Sequence, residues 1–514
     1  MFFILSFLWF IRTTKASLFW LYLWQLKEYH LGRFLDHFRT DKGKKLFLNP
    51  LLSLKIILLF YAFFLSLPNK LLPWQLYAGW IIILMALYFF EFLIFFQNLF
   101  QKTFKKPILT PKTLILILVT LIIEFSFLFI LFQKFYFVLF KNFYWFAFSL
   151  LTFDILTPLI ASIIVFFIHF FTVIFFRNKV IKKAKEKREK FENLLVVGIT
   201  GSYGKTSTKE FLTEILSKKF KVLKTKEHQN SEVGISQCIL NDLKPEHEIF
   251  ICEMGAYNRG GIKLLCDIVK PKIGVLAGIN EQHMATFGSQ ENIIKTKYEL
   301  IENLPPDGVA FFNAKNKYCR ELYNKTEIRK FLYGQEAKIF GQENLLGAMA
   351  VAKELGTTDG EIAKAVEEIG NKLPGIQQKK GINSLIIFDA TYSANPDSVI
   401  GHLEYLKTLL GKKVIVMPCL IELGRASKEV HKRIGQKIAE ICDLSIITTQ
   451  DRAKEIKETA GEKAAFLENP KEIFEKIKSF CEPGDVVLLE GRVPAELISL
   501  LIAERSLVEP KARR

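Results

Sequence analysis

The chain changes its hydrophobic rhythm near residue 190. Before that point apolar residues come in long blocks, at 51–67, 75–99, 113–132 and 146–176. A helix needs roughly 20 consecutive apolar residues to cross a bilayer, so each block is long enough for a span or close to it. Pro158 interrupts the last block and predicts a kink or a break there. Residues 1–26 are also apolar, but Arg12 and Lys15 interrupt them, so a tilted span and an interfacial helix both stay open. That segment has no basic region ahead of its apolar core and no small-residue cleavage site after it, so a cleaved signal peptide is not expected.

Beyond residue 190 short β-rich runs alternate with helical patterns. "LLVVGIT", "EIFICEMG", "KIGVLAGIN" and "GVAFFN" read as strands, each followed by a polar or amphipathic stretch. This alternation predicts a parallel sheet with helices on its faces. A second set, "SLIIFDATYS", "KKVIVMPCL", "LSIITTQ" and "DVVLLEG", predicts a second α/β domain, with a boundary near 371–381. The predicted fold is a multi-span α-helical membrane region followed by two α/β domains. Its parts are a transmembrane region at 1–176, with four or five helices, and a basic juxtamembrane linker at 177–192. An α/β domain at 193–374 and a Rossmann-like one at 375–514 complete it. A length of 514 residues accommodates that plan.

Charge sharpens the picture of the apolar half. Residues 1–190 hold 24 Lys/Arg against 8 Asp/Glu, so nearly all of the net +18 resides there. A nucleic-acid partner would want basic residues on a folded soluble face, and none is expected. Lys27, Arg33, Arg39, Lys42, Lys44 and Lys45 crowd one connecting segment; Lys102, Lys105, Lys106 and Lys112 crowd another. "RNKVIKKAKEKREK" follows the last block, while the alternate connections hold only Lys70, and then Lys134 and Lys141. By the positive-inside rule the three rich segments are cytoplasmic, which puts the α/β half in the cytoplasm of a multi-pass cell-membrane protein. Glu91, Glu124 and Asp154 fall inside apolar blocks. Such acids mark functional sites or find partners; pairing between helices, or with Arg12 and Lys15, is the expected arrangement. The seven cysteines, none in a CxxC pair, suit free thiols in a reducing compartment.

The chemistry sits in "VVGITGSYGKTSTKE". It reads as a buried strand, a glycine turn and the first turn of a helix. Ile199 stands where the general phosphate-loop pattern has its first Gly, yet the mechanics survive. Thr200, Gly201, Ser202 and Gly204 present backbone N–H groups to a phosphate at a helix N-terminus. Lys205 neutralises β/γ-phosphates, and Thr206, with Ser207 beside it, is placed to ligate Mg²⁺. Glu253 ends a strand beside this loop, where a carboxylate supplies hard oxygen to Mg²⁺.

With "TGSYGKTST" intact, the sequence resembles the Mur ligase family, ATP-dependent ligases that add amino acids to cell-wall precursors. "HQNSEVGI", residues 228–235, is similar to the family's substrate loop and brings in Asn230 and Ser231. Residues 253–300 resemble the central domain of the branch that adds D-Ala-D-Ala. "DATYSANPDS" and "ELGRASKEVHKRIG" resemble that branch's C-terminal domain, with Tyr392, Asn395, Glu422 and His431 as substrate-side positions.

The resemblance implies His283 as the ligand of a second Mg²⁺ and Lys297 as a carbamylated lysine that becomes an oxygen ligand. It implies Asn344 and Asp389 on the nucleotide. The reaction it implies passes through an acyl phosphate, with Lys205, His283 and Lys297 as catalytic positions. The bare alternatives are a strand-end Glu253, a packed or solvent-facing His283 and a surface-helix Lys297.

Departures from the family cluster on the base side. Glu343 replaces a His, Gly347 replaces an Asn, Ile376 stands for an interdomain Arg, Ala390 follows Asp389, and "PCL" replaces Gly-acid-Met. The family's UDP-gripping front domain is also replaced by the apolar blocks. The resemblance thus implies as acceptor a muramyl peptide, either UDP-linked and gripped elsewhere or lipid-linked and presented at the bilayer, with D-Ala-D-Ala or another amine as the incoming group. Other readings are a Mur-like amide ligase such as a poly-γ-glutamate synthetase, and a degenerate membrane scaffold. No transporter ATPase signature follows the loop.

Overall fold

The computed structural model describes residues 1–66, 73–135, 141–226, 229–369, 376–391 and 394–502. The chain divides into two compact units, Met1–Phe176 and Arg177–Arg514. Tyr392 and residues 371–375 of the expected domain boundary lie outside the described residues.

The first unit is helical. Helices Phe2–Leu26, Pro50–Leu65, Trp74–Phe100, Pro111–Phe135 and Lys141–Thr172 pack around Trp9, Trp80, Tyr88 and Phe146. Among the described residues five helical segments are long and apolar enough to cross a membrane, the first of them Phe2–Leu26. Phe60, Ile82, Phe129, Phe166 and Phe171 are among many large apolar side chains left exposed on this unit. Of the kink or break expected at Pro158, the break does not occur: Lys141–Thr172 is one helix with Pro158 inside it, and it passes into a π-helical stretch, Val173–Arg177.

All three acids in the apolar blocks are buried and bonded. Arg12 Nε donates to Glu91 Oε1 at 2.7 Å and lies 3.7 Å from Asp154. Lys55 Nζ donates to Glu91 at 2.6 Å and to Asp154 at 2.5 Å. Glu124 accepts from the hydroxyls of Thr14 and Ser17, both at 2.8 Å. The partner of Arg12 in this network is Lys55 rather than Lys15, whose ammonium lies instead 5.9 Å from the centre of the Phe95 ring.

The second unit begins with helix Asn178–Glu189, which docks rather than merely linking. Ile181 and Ala184 are buried in its core, and Arg188 donates to the carbonyls of Val269, Phe191 and Leu194. Then come strands β1 (Leu195–Thr200), β2 (Val222–Lys224), β3 (Ile249–Glu253), β4 (Ile273–Leu276), β5 (Val309–Asn313) and β6 (Arg329–Tyr333). They form a six-stranded parallel sheet in the order β2-β3-β1-β4-β5-β6. β1, β3 and β5 are buried almost throughout, as near-continuous apolar runs covered on both faces require.

The second sheet contains β7 (Gln377–Lys380), β8 (Ile386–Ala390), β9 (Lys413–Met417), β10 (Leu444–Ile447), β11 (Ala464–Phe466) and β12 (Val486–Glu490). Its order is β11-β10-β9-β12-β8-β7, parallel except for the antiparallel edge strand β7. In the first sheet the chain lays β2 and β3 on one side of β1 and β4 on the other. A crevice therefore opens at the carboxyl ends beside the loop that follows β1, where open α/β sheets bind ligands.

Candidate active site

The register of β1 on β3 pairs Ile199 with Glu253. The glycine loop and the carboxylate thus leave the sheet side by side. Thr200, fully buried at the end of β1, donates its hydroxyl to Met254 O at 2.9 Å. Ser202 N donates to Gly278 O at 2.6 Å, which ties the loop to the chain after β4. Gly204 adopts φ 79°, and a Cβ there would stand 2.4 Å from Asn344 Oδ1, so only glycine fits. Helix Lys205–Leu216 starts at once, with Lys205, Thr206 and Ser207 in its first turn.

Lys205 curls back over the loop and donates to the carbonyls of Gly201 at 2.8 Å and Ser202 at 3.3 Å. Thr206 Oγ1 donates to Glu253 Oε2 at 2.9 Å, and Asn230 Nδ2 to Glu253 Oε1 at 3.1 Å. Lys209, fully buried one turn beyond Lys205, places Nζ 3.3 Å from the same Oε2. Burial pushes the Glu253 carboxyl upward. Lys205, Lys209 and the hydrogen bonds from Asn230 and Thr206 outweigh it and hold the group below its ordinary value. Burial pushes Lys205 down, against the pull of Glu253. Lys297 is buried in helix Gln290–Glu302, 5.8 Å from the centre of the Phe287 ring. Burial, reinforced by the Lys205 cation, pushes its ammonium down to about 7.

His283 and Glu422 meet across the two α/β halves. His283 Nδ1 lies 2.5 Å from Glu422 Oε2, and Ala285 N donates to Glu422 O at 3.1 Å. Both residues have positive φ, 66° and 64°. Non-glycine residues held there store local strain, and such residues cluster at functional sites. Burial lowers the His283 pKa, with Glu422 opposing and Lys297 and Lys205 assisting.

The remaining expected positions divide. Asn344 is buried against Gly204 and accepts from Thr208 Oγ1 at 3.4 Å. Asp389 accepts from Lys379 Nζ at 2.5 Å and from Thr391 Oγ1 at 2.6 Å. Burial pushes its carboxyl up, but these donors hold it below the usual range. Ser231 caps helix Glu232–Asp242. Asn395 caps helix Pro396–Lys407 and accepts from Asn280 Nδ2 at 3.0 Å, so it ties the second sheet to the first.

His431 departs from the substrate-side expectation. It is fully buried, its Nε2 accepts from Leu420 N at 2.9 Å, and its Nδ1 bonds Ser427 O at 2.6 Å. Both ring nitrogens are consumed inside the protein, so its effect on any ligand runs through the loop that carries Glu422.

Two of the base-side replacements have a packing reason. A Cβ at Gly347 would lie 2.6 Å from the Tyr333 ring, and Tyr333 donates to Leu276 O at 3.0 Å. Glu343 is buried and accepts from Gly341 N at 2.8 Å. Sequence reasoning missed Lys209, Asn280 and the stacking of Tyr203 on Phe340, ring centres 6.1 Å apart. The spacing of Lys209, four residues after Lys205 on one helix face, was the available signal.

No group of three His, Cys, Asp or Glu comes together among the described residues. The donors at Glu253 nevertheless suit a hard cation, since a carboxylate and a hydroxyl converge beside a phosphate loop.

Residues 199–374 match the Mur ligase middle domain, and residues 376–493 match the Mur ligase glutamate ligase domain. The chain belongs to the Mur ligase family. Mur ligases are ATP-dependent, ADP-forming amide ligases, and the chain is an enzyme of that class. It is 27% identical over 350 residues to a UDP-N-acetylmuramoyl-tripeptide--D-alanyl-D-alanine ligase of Synechocystis, covering 62% of this chain and 76% of the relative. The ligase of that name from Bacillus subtilis is 26% identical over 335 residues, 58% of this chain and 72% of the relative. Among solved structures, MurF ligase from Thermotoga maritima in complex with ADP aligns at TM-score 0.56 and 27% identity. That alignment covers 63% of this chain and 82% of the other. MurF from Acinetobacter baumannii aligns at TM-score 0.56 and 25% identity, covering 63% and 80%.

Proposed function

We propose that this Mur ligase is a membrane-anchored enzyme of peptidoglycan precursor synthesis that joins D-Ala-D-Ala to a muramyl tripeptide. The observation that carries the reading is the convergence of Thr206, Asn230 and Lys209 on Glu253, with Lys205 beside them at the mouth of the glycine loop, in a chain similar to ligases of that name. We assign the parts 1–176 to membrane helices, 177–192 to a connecting helix, 193–374 to the ATP-binding domain and 375–514 to the C-terminal domain. The cytoplasmic side is where ATP is.

In this reading Thr200, Gly201, Ser202, Gly204, Lys205, Thr206 and Ser207 hold the triphosphate, with Asn344 and Asp389 on the nucleoside side. Thr206 and Glu253 would hold one Mg²⁺; His283 and a carbamylated Lys297 would hold a second. These ions would supply charge neutralisation to the transferring phosphoryl group and the acceptor carboxylate. The lowered pKa of Lys297 serves that modification, because the neutral amine is the form that adds CO₂.

Lys205 steadies the charge that develops as the acceptor carboxylate takes the γ-phosphoryl group. The incoming amine then displaces phosphate and forms the amide. Glu422 orients His283 as carboxylates orient metal-bound imidazoles. Asn230, Ser231, Tyr392, Asn395 and Glu422 are assigned to the acceptor side, and His431 to support of the Glu422 loop.

The test uses the full chain in nanodiscs with Mg-ATP, D-Ala-D-Ala and either a UDP-linked or a lipid-linked muramyl tripeptide, with products read by mass spectrometry. An amide product with one phosphate released per bond is expected. Absence of acceptor-dependent phosphate release with both acceptors overturns the reading. It would favour the competing one that the buried Glu343 and the packed Gly347 keep in view, a degenerate scaffold.

A further inference from the structure

Among the described residues of the helical unit, one half-buried lysine meets a histidine where a carboxylate would balance its charge. Lys112 lies in the first turn of helix Pro111–Phe135, and His169 in the last turn of Lys141–Thr172. Lys112 Nζ is 2.7 Å from His169 Nδ1 and 3.6 Å from the centre of the Tyr29 ring. Tyr29 stacks on His169, with ring centres 5.7 Å apart and 29° between planes. Its hydroxyl is buried without a hydrogen-bond partner. Glu28 and Tyr29 carry φ of 55° and 58°, so a strained turn places that ring. Among the described residues no carboxylate pairs with Lys112 or His169. An ammonium has three donors; here one meets an imidazole nitrogen, one faces a π cloud, and its charge is left without an anion.

We propose that Lys112, His169 and Tyr29 form a binding site for the phosphate group of a membrane lipid. The inference rests on reading the first unit as membrane-spanning. Three helix ends meet at this level, on the side that the basic segments mark as cytoplasmic, next to Lys102, Lys105 and Lys106. Headgroup phosphates lie at that depth. A phosphate oxygen there accepts from Lys112 and from the Tyr29 hydroxyl, which supplies the missing anion and the missing partner together. Leu26, Ile108, Phe170 and Phe171 are exposed around the site, a surface for acyl chains rather than for a free ion. A lipid source therefore fits better than dissolved phosphate.

The experiment is native mass spectrometry of the detergent-purified full chain with phosphatidic acid, phosphatidylcholine or inorganic phosphate added. Phosphatidic acid is expected to be retained over phosphatidylcholine. Lys112→Gln and His169→Gln each lower that retention roughly tenfold, and Lys112→Arg keeps it. Lys102→Gln, outside the cluster, changes it less than about twofold. Thermal melts with and without lipid check that each variant is folded. Equal retention of phosphatidic acid by the parent and a folded Lys112→Gln variant overturns the site. So does Lys112-dependent uptake of inorganic phosphate without any of lipid. Release of the parent protein from membranes by alkaline carbonate would instead overturn the membrane reading beneath it.

Discussion

In the helical unit Arg12 and Lys55 face Glu91 and Asp154, cation for anion. In the α/β unit Lys205 and Lys209 act on the carboxylate of Glu253; Lys209 also reaches Glu210 at 3.3 Å, whereas Lys205 hydrogen-bonds only backbone carbonyls. Both clusters are buried, and burial penalises any charge that stays unpaired. The first is complete as it stands and ties helices to one another. In the second, Lys205 has no carboxylate hydrogen-bonded to it, and under the proposed function the phosphates of ATP would supply the anion it lacks. Balance marks a structural cluster and imbalance marks a binding site; Lys112 and His169 fall on the unbalanced side.

The contrast breaks hardest at Lys205. Lys205→Ala should lower acceptor-dependent phosphate release roughly 10³-fold, about 4 kcal/mol of transition-state stabilisation, without lowering the melting temperature. In the balanced cluster the effect should fall on stability instead. Lys55→Met leaves two buried acids to one cation and should cost about 3 kcal/mol, read as a lower melting temperature in detergent. The pair Lys55→Met with Asp154→Leu should recover most of that loss, because neutrality returns. If the single and the double changes cost the same, charge balance is not what holds the cluster.

A smaller effect is expected at Lys297. Lys297→Ala should lower turnover roughly 10²-fold, and short carboxylic acids should restore part of it, since they replace the oxygen of a carbamate. Full activity in Lys297→Ala sinks that assignment.

The smallest effect concerns His431. Burial holds its pKa below the ordinary histidine value, against the Ser427 carbonyl that raises it. The unfolded chain then binds more protons in the window between the two values. Its contribution to stability is full above about pH 6.5 and is lost as pH falls through the folded value. His431→Gln should flatten that slope and cost about 1–2 kcal/mol for the unsatisfied Leu420 amide, measured by melts near pH 7.5 and about pH 5.5.

How much was legible follows from how local each signal is. The apolar runs that became β1, β3, β4, β5, β8, β9, β10 and β12 announced themselves because central strands are buried on both faces. The edge strands β2, β6, β7 and β11 did not: β2 and β11 have three residues each, and β6 alternates exposed and half-buried positions. Gly204 and Lys205 were readable from one loop. The pairing of Lys55 with Glu91 and Asp154 was not, because those residues are 36 and 99 positions apart and only helix packing brings them together. The His283–Glu422 pair was likewise invisible as a pair, although both residues stood out singly in their motifs. His431 stood out too, but only its two internal hydrogen bonds separate support of a loop from contact with a ligand.

ADP affinity measured by calorimetry on the full chain tests the contrast most directly, with three proteins compared under one Mg²⁺ concentration. Lys205→Met should weaken ADP binding about tenfold or more, whereas Lys55→Met with Asp154→Leu should bind like the parent. Equal ADP affinity in the parent and the Lys205→Met variant would contradict it.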